Sequence, residues 1–320
     1  MLSKIKQLLS LFVWNIGFHK YEKELVNKYY DSSSENNSLC KQGIIVMIDG
    51  RQIHGGFADR IRGIATIYQF CKNFNVPFSV YYDYPFKLED FLEPASFNWV
   101  CKKTELSYSK KQAKPVLLEE WMFPHKYHKL YLLLNVLFSK KRQLHVYTNS
   151  HFYYDKFSEQ FNELFKPTLR LQQSIEWNLK NIGSDYVAMV FRFQQLLGDF
   201  KEGDFKVLSE TDQSKLIVKC IKEIEKKWNG KDKVLVTSDS SRFLSEVSKL
   251  SFVYTIPGQV VHIDYTKDAT FETYMKSFVD FYMLSKAKEV YLLLTDDMFQ
   301  SGFPKTASKV HNRPFKIIKF

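Results

Sequence analysis

The chain has 320 residues, of which 45% are hydrophobic and 16% aromatic, so sizeable cores are expected and a wholly disordered protein is excluded. Its net charge of +11 comes from scattered lysines without a basic block or RNA-binding signature, so no nucleic-acid partner is expected. The charge fits a solvated surface, or attraction to anionic lipid or a nucleotide diphosphate. Its four cysteines form no CxxC pair, which favours free thiols and a cytoplasmic location.

Residues 1–30 are predicted to form an amphipathic helix, followed by a polar linker over 31–42. Apolar residues recur there at helical spacing, with Lys4, Lys6 and Lys20 around them. The apolar run is too short to span a membrane, and no signal-peptide cleavage site follows. The helix either lies on a membrane surface, which would make the protein peripheral on the inner membrane face, or packs on the protein's own core.

The body opens with a predicted β-loop-α-β unit, which implies a parallel sheet. A buried strand over 44–48 leads into a glycine-containing loop, a helix over 58–74 and a strand over 78–82. Residues 90–150 alternate less cleanly. Within and after this stretch we expect a helix over 130–138, a strand over 145–147 and a helix over 153–165. Residues 43–165 would thus form a first Rossmann-like lobe.

The second lobe is predicted to occupy residues 166–320, with 166–182 carrying the chain from one lobe to the next. Strands alternate there with helices, a rhythm typical of a doubly wound α/β sheet. The predicted strands cover 186–193, 233–237, 252–255 and 289–294, and the predicted helices cover 212–228, 241–249, 270–285 and 304–309.

Polar segments follow the predicted strands, where ligands of open α/β sheets bind. In the first, Gly55 and Gly56 would let a ligand approach the backbone closely, and a helix N-terminus would offer free N–H groups to an anion. Asp59, Arg60 and Arg62 lie in the next turns. Asp59 is our candidate for the base that receives a proton from an attacking hydroxyl. A tight turn with a capping aspartate and solvated arginines is the alternative.

In the second segment Arg192 ends an apolar strand, which suggests bidentate recognition of a phosphate. An internal salt bridge, for example to Asp199, is the alternative. In the third segment, hydroxyls and a carboxylate either hold a base or ribose or cap a helix; they belong to Thr237, Ser238 and Asp239.

The fourth segment places Ser301 and Gly302 before a helix, either as an anion-binding turn or as an ordinary capped loop. No Asp-x-Asp triplet occurs in the sequence, so no metal site is expected. Walker and Gly-x-Ser-x-Gly motifs do not occur either, so phosphoryl transfer and triad hydrolysis are poorly supported.

The ordered set of these segments resembles the GDP-fucose-dependent fucosyltransferases over roughly residues 43–310. GGFADRIRGI looks like the glycine-rich turn that opens their catalytic region. VFRF resembles their strand ending in His-x-Arg, and VTSDS resembles a strand ending near an acidic turn. DFYMLSKAKEVYLLLTDDMFQSGFPKTAS resembles their last motif. The chain departs from the family at Val190, where histidine is frequent, and at Phe193, where many members have a second arginine.

The resemblance implies a GT-B-like α/β fold with two facing Rossmann-like lobes, a donor-binding second lobe and an acceptor-binding first lobe. It implies inverting transfer of fucose or a related sugar from a GDP donor to an acceptor glycan, without metal or other cofactor. Arg192 would hold the diphosphate and Asp239 would lie near the nucleoside. The further donor-binding candidates are Gly55, Gly56, Arg60, Thr237, Ser238, Ser301, Gly302 and Phe303.

Two further expectations concern the acceptor and the activity. A lipid-linked acceptor and a part in polysaccharide biosynthesis would suit an enzyme at the inner membrane face. A non-catalytic nucleotide- or glycan-binding protein on the same fold is the alternative function, because the family's histidine and second arginine are replaced at Val190 and Phe193.

Overall fold

The computed structural model describes residues 20–32, 39–119, 125–199, 205–258, 261, 263 and 270–320. By their contacts, the residues form two compact units. The first unit comprises Met1–Gly55, Asp59–Leu88 and Pro94–Phe165. The second comprises Gly56–Ala58, Glu89–Glu93 and Lys166–Phe320.

The first unit is built on a four-stranded parallel sheet with the strand order β2-β1-β5-β4. The strand order reverses between β1 and β5, the position where open α/β sheets form their ligand crevice. In chain order the elements up to residue 167 are α1 (residues 20–29), β1 (Gly43–Ile48), α2 (Phe57–Phe74), β2 (Phe78–Tyr82), β3 (Leu92–Pro94), β4 (Ala113–Leu118), α3 (His128–Phe138), β5 (Gln143–Thr148), α4 (Phe157–Leu164) and β6 (Phe165–Pro167). Strands β3 and β6 form a separate two-stranded sheet, and two of the three residues of each belong to the second unit.

The apolar run of β1 explains its central place, since a strand covered on both faces needs apolar residues at successive positions. Ile44 to Ile48 are all buried. Gly43 precedes them with φ +103°, and a Cβ there would lie 2.2 Å from the carbonyl oxygen of Pro77, so glycine is required. The predicted strands at 44–48 and 78–82 and the helix at 58–74 are confirmed within a residue.

The described part of the N-terminal helix packs on the first unit. Leu25 is buried in a cluster with Ile45 and Tyr147. Glu22 accepts hydrogen bonds from the Tyr131 hydroxyl at 2.9 Å and the Leu117 amide at 3.2 Å. Of the two interpretations of this helix, packing on the protein's own core therefore holds for residues 20–29. Residues 1–19, which include Lys4 and Lys6, lie outside the described residues.

Both described ends of the predicted linker are also attached to the first unit. Asp31 donates its amide to the Tyr108 carbonyl at 2.9 Å, and Lys41 donates its amide to the Glu105 carbonyl at 3.0 Å. These bonds hold the chain on each side of residues 33–38, which are outside the described ranges. Among the residues described, no helix is long and apolar enough to cross a membrane.

The second unit contains a five-stranded parallel sheet with the order β11-β10-β7-β8-β9. The order reverses between β7 and β10, as in a doubly wound nucleotide-binding sheet. Its elements are α5 (Leu169–Ile182), β7 (Tyr186–Phe191), α6 (Glu210–Lys227), β8 (Lys233–Ser238), α7 (Ser241–Val247), β9 (Val253–Tyr254), α8 (Phe271–Lys286), β10 (Val290–Leu294), α9 (Phe303–Val310) and β11 (Phe315–Lys319).

Two buried histidines of the first unit are held neutral. His145, in β5, is fully buried, with Nδ1 2.7 Å from the Tyr30 hydroxyl and Nε2 2.9 Å from Gln143 Oε1. A neutral ring that carries its proton on Nε2 satisfies both contacts. Burial lowers the pKa of His145 to about 3, and it lowers the pKa of His54 to about 3 as well.

We expect His54 and His145 each to destabilise the first unit in acid. An unfolded histidine titrates near pH 6.5, so below that pH the unfolded chain binds protons that the folded chain excludes. The free energy of unfolding should fall as the pH drops from about 6.5 towards 3, by about 1.4 kcal/mol per pH unit for each histidine. Urea titrations at several pH values would measure this. His145→Gln should remove its share of the slope; an unchanged slope would show that His145 contributes nothing.

Candidate functional site

Arg192 and Asp239 meet at the carboxyl ends of two neighbouring strands. Arg192 follows β7 and Asp239 follows β8, and the register pairs Phe191 with Ser238, so the next residues lie side by side. Arg192 Nη1 lies 3.2 Å from Asp239 Oδ2. The carboxylate therefore holds the guanidinium at the carboxyl end of β7. The arginine side chain is 16% exposed, so part of it still meets solvent.

Asp239 is bonded to backbone donors as well as to Arg192. Its buried carboxylate accepts the amide of Phe193 at 2.8 Å and the amide of Gln194 at 2.7 Å. Burial raises the pKa of Asp239, while Arg192 and the backbone donors oppose that shift. Arg192 therefore has the internal ion pair that the sequence offered as an alternative, but with Asp239. Asp199 instead accepts hydrogen bonds from Ser240 and Arg242.

Two serine hydroxyls, of Ser238 at the end of β8 and of Ser240 after it, stabilise the local turn. Thr237 and Ser238 are buried, and Ser238 Oγ accepts the Ser240 amide at 3.1 Å. Ser240 Oγ accepts the Phe243 amide at 3.0 Å and so caps α7. Helix capping in this segment is thus performed by Ser240, which leaves Asp239 to face Arg192.

The loop after β10, which contains Ser301 and Gly302, is hydrogen-bonded to the segment that contains Arg192. Phe299 donates its amide to the Arg192 carbonyl at 3.1 Å, which brings the loop after β10 to the end of β7. Ser301 Oγ accepts the Phe303 amide at 3.2 Å at the start of α9, and Gly302 precedes that helix. The Phe303 ring lies 5.6 Å from that of Phe281, so it packs in an apolar cluster of the second unit.

The glycine-rich segment after β1 forms a tight turn at Gly55 that leads into α2. Gly55 has φ +73°, and a Cβ there would lie 3.1 Å from Asp59 Oδ2, so the turn requires glycine. Asp59 forms an ion pair with Arg62, and its side chain is 37% exposed. Gly55 and Asp59 belong to the first unit, whereas Gly56 belongs by its contacts to the second.

The Arg60 side chain is buried in the first unit and hydrogen-bonded there. It is 1% exposed. Its guanidinium donates to the Gly55 carbonyl at 2.9 Å, the Tyr82 hydroxyl at 3.1 Å and the Tyr84 carbonyl at 2.7 Å. These bonds explain why a cation is buried here, and they favour a structural role over the predicted contact with a donor.

Sequence reasoning missed a polar group at the carboxyl end of β1. Asp49 accepts hydrogen bonds from the Tyr147 hydroxyl and the Arg51 amide, each at 3.1 Å. Nε2 of His54 accepts the Gly50 amide at 3.1 Å. Burial raises the pKa of Asp49. The available signal is a carboxylate directly after a buried strand, the pattern that also marks Asp239.

Comparisons with known proteins rest on structure, since no protein-family model and no curated protein matches the sequence. NodZ α-1,6-fucosyltransferase co-crystallized with GDP matches with a TM-score of 0.56 at 14% identity, over 88% of this chain and 95% of NodZ. NodZ soaked with GDP-fucose matches with a TM-score of 0.55 at 13% identity, over 88% and 95%.

A variant of Arabidopsis thaliana FUT1 in complex with GDP matches with a TM-score of 0.54 at 14% identity, over 93% of this chain and 74% of FUT1. The chain has the fold of the GT-B fucosyltransferases. The predicted α/β class with Rossmann-like sheets is thereby confirmed. Among the residues that the structure describes, no cluster of three or more His, Cys, Asp or Glu could hold a metal ion.

Proposed function

We propose that this protein transfers fucose from GDP-fucose to an acceptor glycan, with inversion at the sugar and without a metal ion. The observation that carries the proposal is the placement of Arg192 at the reversal of strand order in a doubly wound sheet. NodZ, which shares the fold, was co-crystallized with GDP and soaked with GDP-fucose. A guanidinium at this position suits a nucleoside diphosphate.

Arg192 would act on the leaving group. As the bond between fucose and phosphate breaks, negative charge develops on the departing GDP, and a fixed cation stabilises that charge more than it stabilises the bound donor. The ion pair with Asp239 would keep the guanidinium oriented before the donor arrives. The Gly302 amide, at the start of α9, would supply a further donor to the phosphates.

The decisive experiment is incubation of the protein with GDP-fucose, GDP-mannose and UDP-sugars across a set of acceptor glycans, with release of nucleotide as the readout. Acceptor-dependent release of GDP from GDP-fucose is the expected result. Release only from another donor would overturn the assignment of fucose. Tight GDP binding without turnover on any acceptor would instead support a non-catalytic binding protein.

Asp59 is our candidate for the acceptor base, and Asp59→Asn tests it. The change keeps the shape of the side chain and removes its capacity to take a proton, so we expect kcat to fall by about a hundredfold or more. GDP affinity should stay within about twofold, because the donor candidates Arg192 and Asp239 belong to the second unit. Initial rates with saturating acceptor, together with GDP titration, would measure both.

The matched control for this test is Arg62→Gln, which removes the ion-pair partner and leaves the carboxylate. If Asp59→Asn lowers GDP affinity while turnover of the bound donor is unchanged, Asp59 is a donor ligand or a structural cap. Equal losses in both variants would show that the ion pair matters and proton transfer does not.

We also propose a cytoplasmic protein that associates with anionic membrane through its first residues. Lys4 and Lys6 lie among apolar residues at helical spacing, and each cation near anionic lipid contributes about 1 kcal/mol. The full chain should sediment with phosphatidylserine vesicles at low salt and be released at high salt. A chain lacking residues 1–19 should stay in the supernatant; equal sedimentation of both chains would refute the proposal.

A further inference from the structure

A tyrosine–arginine site, formed by Tyr29, Arg51 and Tyr108, lies in the first unit beyond the end of β1. The Arg51 guanidinium carbon is 4.6 Å from the centre of the Tyr29 ring and 3.9 Å from the centre of the Tyr108 ring. Two aromatic rings therefore hold the guanidinium through cation–π contacts. All three side chains are half-buried, so the site meets solvent.

The hydrogen bonds of Arg51 are incomplete. Its Nε lies 3.4 Å from Asp49 Oδ2, and its Nη1 is buried with no hydrogen-bond partner among the described residues. A guanidinium offers five N–H donors, and a buried donor without a partner is unfavourable. The side chain as a whole is 25% exposed, so part of it meets solvent beside this buried donor. The arrangement is that of a cation which a bound anion would complete.

Asp49 does not satisfy this requirement. Its side chain is 5% exposed, and its oxygens already accept the Tyr147 hydroxyl and the Arg51 amide. Its negative charge beside the guanidinium also limits which anion fits. A singly charged carboxylate is repelled less by Asp49 than a phosphate dianion would be. The planar fork of arginine matches the two oxygens of a carboxylate.

We propose that the tyrosine–arginine site binds the carboxylate of an acidic sugar, such as a uronic acid, in the acceptor glycan. This inference rests on the proposed function for the statement that the sugar belongs to an acceptor; the binding itself does not depend on transfer. Arg51 pairs with the carboxylate, and the rings of Tyr29 and Tyr108 supply amphipathic contact surface beside it. A neutral sugar leaves the Arg51 donors unpaired and binds more weakly.

The test measures binding of glucuronate, glucose and inorganic phosphate to the full chain by ligand-observed NMR or calorimetry. A hydrogen bond to a charged group is worth roughly 1.5–3 kcal/mol, which corresponds to about tenfold to hundredfold in affinity. We therefore expect glucuronate to bind at least about tenfold more tightly than glucose. Equal affinity for both sugars, or tighter binding of phosphate than of glucuronate, would overturn the proposal.

Variants locate the binding. Arg51→Gln should reduce glucuronate affinity to that of glucose, and Arg51→Lys, which keeps the charge and loses the fork, should restore part of it. Arg170→Gln is the matched control, because it removes one positive charge from an exposed ion pair with Glu272 in the second unit. Glucuronate binding that survives in a folded Arg51→Gln variant would refute the assignment. If that variant unfolds, Arg51→Lys and the wild-type comparison of the two sugars decide.

GDP binding to the same samples separates this inference from the proposed function. A chain that binds GDP but does not distinguish glucuronate from glucose retains its proposed function and loses this inference. A chain that binds glucuronate through Arg51 but neither binds GDP nor transfers fucose retains the acidic-sugar site and loses the proposed function.

Discussion

Replacing Arg192 by alanine should lower kcat/KM for fucosyl transfer by about a hundredfold or more, since a fixed donor that stabilises transition-state charge contributes roughly 3–4 kcal/mol. The guanidinium is oriented by Asp239 at 3.2 Å and lies at the end of β7. Initial rates of GDP release from GDP-fucose would measure the effect. GDP affinity should fall as well, because the proposed contact is to the diphosphate.

Two companion variants make the result interpretable. Arg192→Lys retains a cation beside buried Asp239 but loses the planar fork, so it should fold like the wild type and still lose most of its activity. Arg170→Ala removes an arginine from an exposed ion pair with Glu272 and should keep full activity. A folded Arg192→Ala variant with wild-type rates would refute the catalytic role. Unfolding of both Arg192 variants would make the pair with Asp239 a structural salt bridge.

Deleting residues 1–30 should strongly destabilise the first unit. The deletion removes Leu25 from the core cluster, and loss of one buried leucine side chain alone costs about 2–5 kcal/mol. It also removes the hydrogen-bond partners that Glu22 and Tyr30 provide to Tyr131 and His145. Urea or thermal unfolding should show a lower midpoint, or an aggregated product.

The matched truncation removes only residues 1–19 and leaves the contacts of Glu22, Leu25 and Tyr30 in place. It should unfold at a midpoint near that of the full chain, and Leu25→Ala within the full chain should fall between the two truncations. A stable, soluble protein that lacks residues 1–30 would contradict the packing of α1. It would also favour a separate helix joined to the body by a linker.

Most elements could be predicted, because buried parallel strands are continuous apolar runs and helices have a 3.6-residue period. The misses have physical causes. The connecting segment 166–182 contains α5, whose buried face has polar Asn178 among three apolar residues. Strand β4 contains Lys114 and Pro115, and both residue types are uncommon inside strands, so the sequence pattern does not indicate a strand there. The edge strand β11, with the sequence Phe-Lys-Ile-Ile-Lys, has no buried residue and is mostly exposed.

By itself the sequence determined the alternation of strands and helices. That alternation implies parallel sheets, because each helix returns the chain to the end of the sheet where the previous strand began. It also places the polar segments that follow the strands together at their carboxyl ends. Only the tertiary structure decided which polar groups meet. Arg192 pairs with Asp239, Arg60 is buried beside Tyr82, and Arg51 lies on Tyr29 and Tyr108. These partners are 22 to 57 positions apart in the chain, so their contacts depend on strand order and register, which spacing along one sequence does not contain.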